Sequence, residues 1–478
     1  MSMDSRLPAH AVLAEPQLAF HPDRADDRSA HPLKGLLSYG PFSRSTVNAV
    51  LDPIRAAAIT PARGLRVIDG LLAELEGRHE PQERRNYLVE FPGFSPVFGL
   101  RVVAAANAAR MELASSLDAE IAQSATPHLL LAENLTRALG ALQAVRQQFD
   151  VVLIYLPVRW SRAFYGPREE DFDLHDYVKA VGAMRGLPVQ IVREDKALSY
   201  RCRCSVMWRL GIALYCKAGG IPWKLAEAEP DAAFVGLSYA VRTTGDGTPR
   251  FVTCCSQVFD ADGSGIEFVA YETSGFRIER ENPYLNRPEM RRVMARSLAL
   301  YQRRHAGRKP KRVVVHKSTK FTDEEIDACF DAWQGVEALD LIQVQQDCAW
   351  RGVELHRPAT VGKGIAGGFP CERGTHLTLS GRDVLLWTQG NAPSAVGGRN
   401  FYKEGKAIPA PLQLVRFAGH GGWEPACRDV LGLTKMDWNN DSLYDRLPVT
   451  MSYARVLART VRRMSDLAPH PYEFRFFM

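Results

Sequence analysis

The chain has 478 residues, 46% of them hydrophobic and 24% charged, which is ordinary globular usage and room for two or three domains with sizeable cores. Lys and Arg total 60 against 54 Asp and Glu, a net charge of +6, so the placing of the cations matters more than their sum. No apolar run is long enough to cross a membrane, no secretion segment opens the chain, and nine cysteines include no Cys-x-x-Cys pair; buried free thiols in a reducing, cytoplasmic compartment are expected.

Residues 1–38, rich at the start in Ala, Asp, His and Pro, are expected to form a flexible N-terminal arm. From there to residue 150 the signals are mixed, with a Pro/Gly turn among aromatics at "FPGFSPVFGL" (91–100) and helical periodicity over 129–149. The pattern then sharpens. "DVVLIYLP" (150–157) and "PVQIV" (188–192) read as buried strands. Helices are predicted over 173–186, closed by Gly186, and over 199–220, ended by Gly219 and Gly220. Strand–helix–strand–helix implies a parallel sheet with helices on its faces. After residue 230 the order changes. "AAFVGLSYAV", "RFVTCCSQVF" and "GIEFVAYET" are three successive strands, followed by a helix (287–304), a strand (311–318) and a helix (321–333) with a Thr322/Glu325 capping box. A further strand, a hairpin (376–389), the strand "PLQLVRFA" and two helices complete the chain, the last helix spanning 448–464. This is the element order of an RNase H-like fold. "GKGIAGGF" (362–369) lacks what a P-loop needs and reads as a flexible loop. "DADGSG" (260–265) lacks the closing glutamate of a calcium loop and reads as a hairpin turn.

Four residues could converge at one edge of the first sheet. His175 and Lys179, four apart, share a helix face; Gln190 lies in the next strand, and Lys217 in the last turn of the following helix. Two cations, an imidazole and an amide suit a phosphate, to which they offer charge-assisted bonds. A solvated helix face is the competing explanation. The last helix carries Arg455, Arg459, Arg462 and Arg463 in one stripe, the kind of surface that tracks a phosphate backbone. Arg291, Arg292 and Arg296 form a second stripe, and "RRHAGRKPKR" (303–312) is a basic loop.

Hydrolysis of a phosphodiester on an RNase H-like sheet needs two metal ions held by carboxylates. The first strand offers Ser238, the fourth offers His316 and Lys317, and the last helix presents Arg455. Three of the needed positions, Ser238, Lys317 and Arg455, are therefore wrong for metal binding. Other carboxylates, Asp246, Glu267 and Glu272, leave a nuclease as the alternative.

The segments "HDYVKA…PVQIVRE", "YCKAGGIPWKL", "FVGLSY", "VVHKSTKFTDEE", "LGLTKMDWNND" and "PVTMSYARVLARTV" resemble a short prokaryotic Argonaute, over roughly residues 39–478. The resemblance implies an α/β chain in which a Rossmann-like MID domain (39–230, with an N-terminal extension) precedes an RNase H-like PIWI domain (231–478). It implies that His175, Lys179, Gln190 and Lys217 bind the 5′-phosphate of a short guide RNA, with Mg²⁺ bridging that phosphate to the C-terminal carboxylate at Met478. It further implies that Ser238, Lys317 and Arg455 stand at degenerate positions of the slicing tetrad, so the chain itself does not cut. Arg455, Arg459 and Arg462 would contact the nucleic-acid backbone. The guide would recruit a complementary single-stranded DNA target from a plasmid or phage. The partner would be an APAZ-domain effector (Sir2, TIR or nuclease), in a heterodimer; whether it oligomerises on activation is left open by the sequence. NAD depletion or nucleic-acid degradation would then kill or arrest the invaded cell.

Overall fold

Val151–Leu156 is buried at every position, as a continuous apolar run must be when both faces of its sheet are covered. The computed structural model describes residues 10–47, 49–167, 172–243, 249–280, 282–356, 365–398, 407–439, 441–462 and 472–478. In the first sheet, Ile54–Thr60 (β1), Val151–Leu156 (β2) and Val189–Arg193 (β3) run parallel in that order. Val102–Ala104 and Arg110–Glu112 add to the free side of β1. Alternation along β2 sorts the helices. Val152 and Ile154 pack with Leu174, Val178 and Val181 of Leu174–Met184 (α1). Val151 and Leu153 pack with Met207, Trp208 and Leu214 of Arg203–Lys217 (α2). Asp173 caps α1 by accepting from the amides of His175 and Asp176. Past the end of α2, Gly219 takes φ +102, a turn that releases the chain directly after Lys217.

The second sheet is ten-stranded. Ala232–Thr243 (β4), Pro249–Asp260 (β5) and Gly265–Thr273 (β6) form an antiparallel meander. Arg312–Lys317 (β7) and Ala338–Gln345 (β8) run parallel to β4 on its other side. The spatial order β6-β5-β4-β7-β8 is the RNase H-like arrangement. Leu412–Ala418, Asp383–Leu386, Thr375–Thr378 and His10–Val12 extend the sheet beyond β8, and Tyr472–Glu473 closes the β6 edge. Arg287–Arg304 (α3) and Asp323–Ala332 (α4) cover one face, where Met290, Met294, Cys329 and Trp333 pack on Val235, Leu237, Val313 and Val315. Both bonds of the Thr322/Glu325 capping box are made. Val449–Val461 (α5) lies on the other face, over β4 and β5. Gly236 permits that approach, because a Cβ there would stand 2.1 Å from Thr450 O.

Two expectations are corrected. From His10 to residue 38 the chain is no loose arm. Leu18, Phe20 and Leu33 are in the core, Pro32–Tyr39 is a helix, and Glu15 is buried between Arg373 and Lys435. Few but large apolar side chains suffice to seat it. Within "GKGIAGGF", Ile365–Pro370 is a strand paired with Val353–His356, so main-chain hydrogen bonds override the glycine content; residues 362–364 lie outside the described residues. "DADGSG" is the turn expected, with Asp262 Oδ1 accepting from Ser264 N and Oγ at 2.9 and 2.5 Å.

Candidate phosphate pocket and nucleic-acid interface

Two buried lysines meet where the halves join. Lys179 Nζ donates to Phe477 O at 3.1 Å, and Lys217 Nζ donates to Met478 O. Consecutive main-chain oxygens thus draw the two ammonium groups to one place. The oxygens are fixed because Phe474, Phe476, Phe477 and Met478 are all buried, with Phe477 edge-on to Phe268 at 4.4 Å. Neither lysine lies in ion-pair distance of a carboxylate side chain among the described residues. Burial pushes Lys179 from its ordinary 10.5 down to about 8, and burial together with Lys179 pushes Lys217 well below its ordinary value. Burying two cations with no carboxylate side chain in contact is costly, and an anionic ligand would offset that cost.

His175 sits one turn from Lys179 on α1, exposed, with Nδ1 3.2 Å from Asp176 Oδ1. Asp176 is buried and lies 3.8 Å from Nε of Arg459 on α5. Motif and spacing do not single out Asp176; its place beside the helix cap is the one signal in the sequence. Asp173, His175 and Asp176 each bring a ligand atom within 4.8 Å of one another, an arrangement that the capping of α1 already explains. Gln190 stands on β3, which packs on both α1 and α2, but its amide donates to Ile191 O at 3.2 Å. The structure therefore joins Lys179 with Lys217, sets His175 on the same helix face, and leaves Gln190 bonded to its own strand.

The expectation of Mg²⁺ at Met478 concerns an oxygen that also serves Lys217. Its main-chain oxygen accepts from Lys217, and the preceding oxygen accepts from Lys179. Lys217 takes up one oxygen of Met478, and a carboxylate there keeps its second oxygen and further lone pairs, so Mg²⁺ at Met478 stays a proposal.

Arg455, Arg459 and Arg462 are exposed along α5, at the helical spacing of one stripe; Arg463 lies outside the described residues. The basic loop is largely consumed internally. Arg303 and Arg304 pair with Glu267, and Arg312 is ringed by Glu229, Asp340 and Asp429. Arg292 pairs with Glu289.

Ser238 Oγ donates to Ala454 O at 2.5 Å, which places it beside Arg455. Lys317 is not with them. β7 pairs Lys317 with Leu237, one residue before Ser238, and successive strand residues face opposite ways. Lys317 is thus on the α4 face, buried, with Nζ 2.7 Å from both carboxylate oxygens of Glu325. The grouping of Ser238, Lys317 and Arg455 at one place is corrected on this point. On the α5 face stands His316, with Nδ1 2.8 Å from Thr450 Oγ1. Of the alternative carboxylates, Glu267 is held by Arg303 and Arg304, and Asp246 lies outside the described residues.

No family model and no curated protein matches the chain. Solved structures do. Clostridium butyricum Argonaute bound to a guide DNA and a 19-mer target DNA aligns with a TM-score of 0.62 at 15% identity, over 97% of this chain and 54% of that one. Drosophila Piwi aligns with a TM-score of 0.64 at 16% identity, over 98% and 56%. Aquifex aeolicus Argonaute aligns with a TM-score of 0.60 at 16% identity, over 100% and 56%. The chain has an Argonaute-like fold. It spans a little over half the length of each of these Argonaute and Piwi chains, and at such identities the likeness speaks for the fold alone. Among the described residues of this Argonaute-like chain, no helix is long and apolar enough to cross a membrane.

Proposed function

We propose that the chain is a guide-dependent nucleic-acid recognition subunit. Lys179 and Lys217, with His175 beside them, hold the 5′-phosphate of a short guide RNA, and the guide pairs with a complementary single-stranded DNA. Base pairing supplies the sequence specificity, and the arginines of α5 hold backbones electrostatically. The observation that carries this reading is the pair of buried ammonium groups on consecutive main-chain oxygens, with no side-chain carboxylate within ion-pair distance of either among the described residues; Asp176, one turn before Lys179, acts on it only through space. The guide and target DNA in the Clostridium butyricum structure support it.

The chain itself leaves the target intact. Ser238 offers a hydroxyl already spent on Ala454 O, and the next residue of α5, Arg455, brings a positive charge rather than a carboxylate. Recognition is passed to a second protein, an APAZ-domain effector carrying a Sir2, TIR or nuclease domain. Its NAD depletion or nucleic-acid cleavage defends the cell against plasmid or phage by abortive infection.

The test begins with the purified protein. Co-purified short RNA with 5′-phosphates supports the reading. Guide and target are then added with Mg²⁺ or Mn²⁺, and target cleavage that disappears in Glu272→Ala would establish a nuclease instead. Chelation by EDTA should weaken binding of a 5′-phosphorylated guide where Mg²⁺ bridges it to Met478; unchanged binding would remove the ion from the pocket. Co-expression with an APAZ protein should make NAD or nucleic-acid loss depend on guide and target together.

A further inference from the structure

Asp176 is a buried carboxylate in a pocket built for an anion. Its side chain is 7% exposed, while that of its partner Arg459 is 66% exposed. The contact crosses from α1 in the first half to α5 in the second. Burial alone would push the Asp176 carboxyl up, but His175, Arg459 and Lys179 hold it below the usual carboxylate range. It is therefore ionised at neutral pH, within the field of the same lysine that the phosphate would use.

We propose that Asp176 is the pocket's own counter-anion and sets its selectivity for phosphorylated strand ends. Without a guide, Asp176 holds Arg459. A 5′-phosphate arriving at Lys179 takes Arg459 over. A terminal hydroxyl carries no charge and leaves the Asp176–Arg459 pair in place. The exchange also registers pocket occupancy on α5, because Arg459 shares its stripe with Arg455 and Arg462. An ion pair with one partner so exposed is weak, which is what an exchangeable pair requires. The inference rests on the phosphate-binding reading above.

Asp176→Asn isolates the charge, since asparagine keeps an acceptor oxygen for the His175 ring. Dissociation constants are measured for the full chain with 5′-phosphorylated and 5′-hydroxyl guide RNAs of one sequence. Asp176→Asn should tighten the phosphorylated guide by on the order of fivefold, the upper range for a partly exposed pair, and leave the hydroxyl guide unchanged. In an Arg459→Ala background that gain should vanish. Unchanged or weaker binding of the phosphorylated guide, or a full gain without Arg459, overturns the proposal. Arg459→Ala alone, at an exposed position, should weaken the phosphorylated guide more than the hydroxyl guide, which loses only a backbone contact; an equal loss for both guides also overturns it. Lys179→Ala is run beside these. A loss confined to the phosphorylated guide upholds the pocket even if Asp176→Asn fails, whereas an equal loss removes the pocket and this inference with it.

Discussion

Replacing Lys179 by Met should raise the stability of the unliganded protein and lower its affinity for a phosphorylated guide. The fall of Lys179 from 10.5 to about 8 corresponds to about 3 kcal/mol by which burial disfavours the ammonium at neutral pH. Methionine is similar in length and accepts burial, but it forfeits the bond to Phe477 O, about 1 kcal/mol. The net expectation is a gain of about 2 kcal/mol, read as an upward shift of the urea midpoint. Binding moves the other way. A buried hydrogen bond to a charged group contributes about 1.5–3 kcal/mol, so the phosphorylated guide should bind roughly ten- to a hundredfold more weakly. A 5′-hydroxyl guide of the same sequence should be little affected; fluorescence anisotropy with both guides reads the difference. The reasoning fails if the variant is less stable than the parent, or if both guides lose affinity equally.

The same lysine couples the pocket to pH with opposite signs for binding and stability. Above about pH 8 the free protein loses the Lys179 proton, so affinity for a phosphorylated guide should fall by up to about tenfold per pH unit, seen by titration at constant ionic strength. Its contribution to stability rises over the window from about 8 to 10.5, because the unfolded lysine keeps its proton longer than the folded one. Arg455→Ala with Arg462→Ala should lower the slope of log affinity against log salt by about one for each phosphate that is no longer neutralised, while a solvated face would leave it unchanged. Glu325→Ala strands the buried Lys317 ammonium and should cost about 3–5 kcal/mol in a denaturant melt, whereas a loss under about 1 kcal/mol would refute the buried pair.

The parts legible in the sequence are those where one local pattern decides the outcome. The meander after residue 230, the helix Arg287–Arg304 and the capping box at Thr322 follow from periodicity and cap chemistry, and they stand where that chemistry puts them. Lys179 and Lys217 are legible because helix spacing and a glycine stop fix where each points. β1 escapes notice because "IRAAAIT" is rich in alanine and poor in the branched residues that mark a strand, yet it sits inside the first sheet. The seating of residues 10–38 depends on partners such as Arg373 and Lys435, hundreds of positions away. The Asp176–Arg459 pair is of the same kind, since no spacing within α1 announces a residue on α5.

Lys317 marks a finer limit. Reading it as a degenerate metal position treats the end of β7 as a place, when a strand end is two places on opposite faces. Register settles the matter: Gly236 lies beside His316 and Leu237 beside Lys317, so the face of Ser238 is the face of His316. The lysine thus says nothing about metal binding, because its charge is matched by Glu325 on the far side of the sheet. What speaks to metal binding is that the α5-facing residues Ser238 of β4 and His316 of β7 carry no carboxylate. A hydroxyl and an imidazole bring no negative charge to hold a divalent ion, and Arg455 follows the residue whose oxygen takes the Ser238 hydroxyl. The case for a chain that binds without cutting is therefore narrower than a count of three altered residues, and it rests on the face where the chemistry would have to occur.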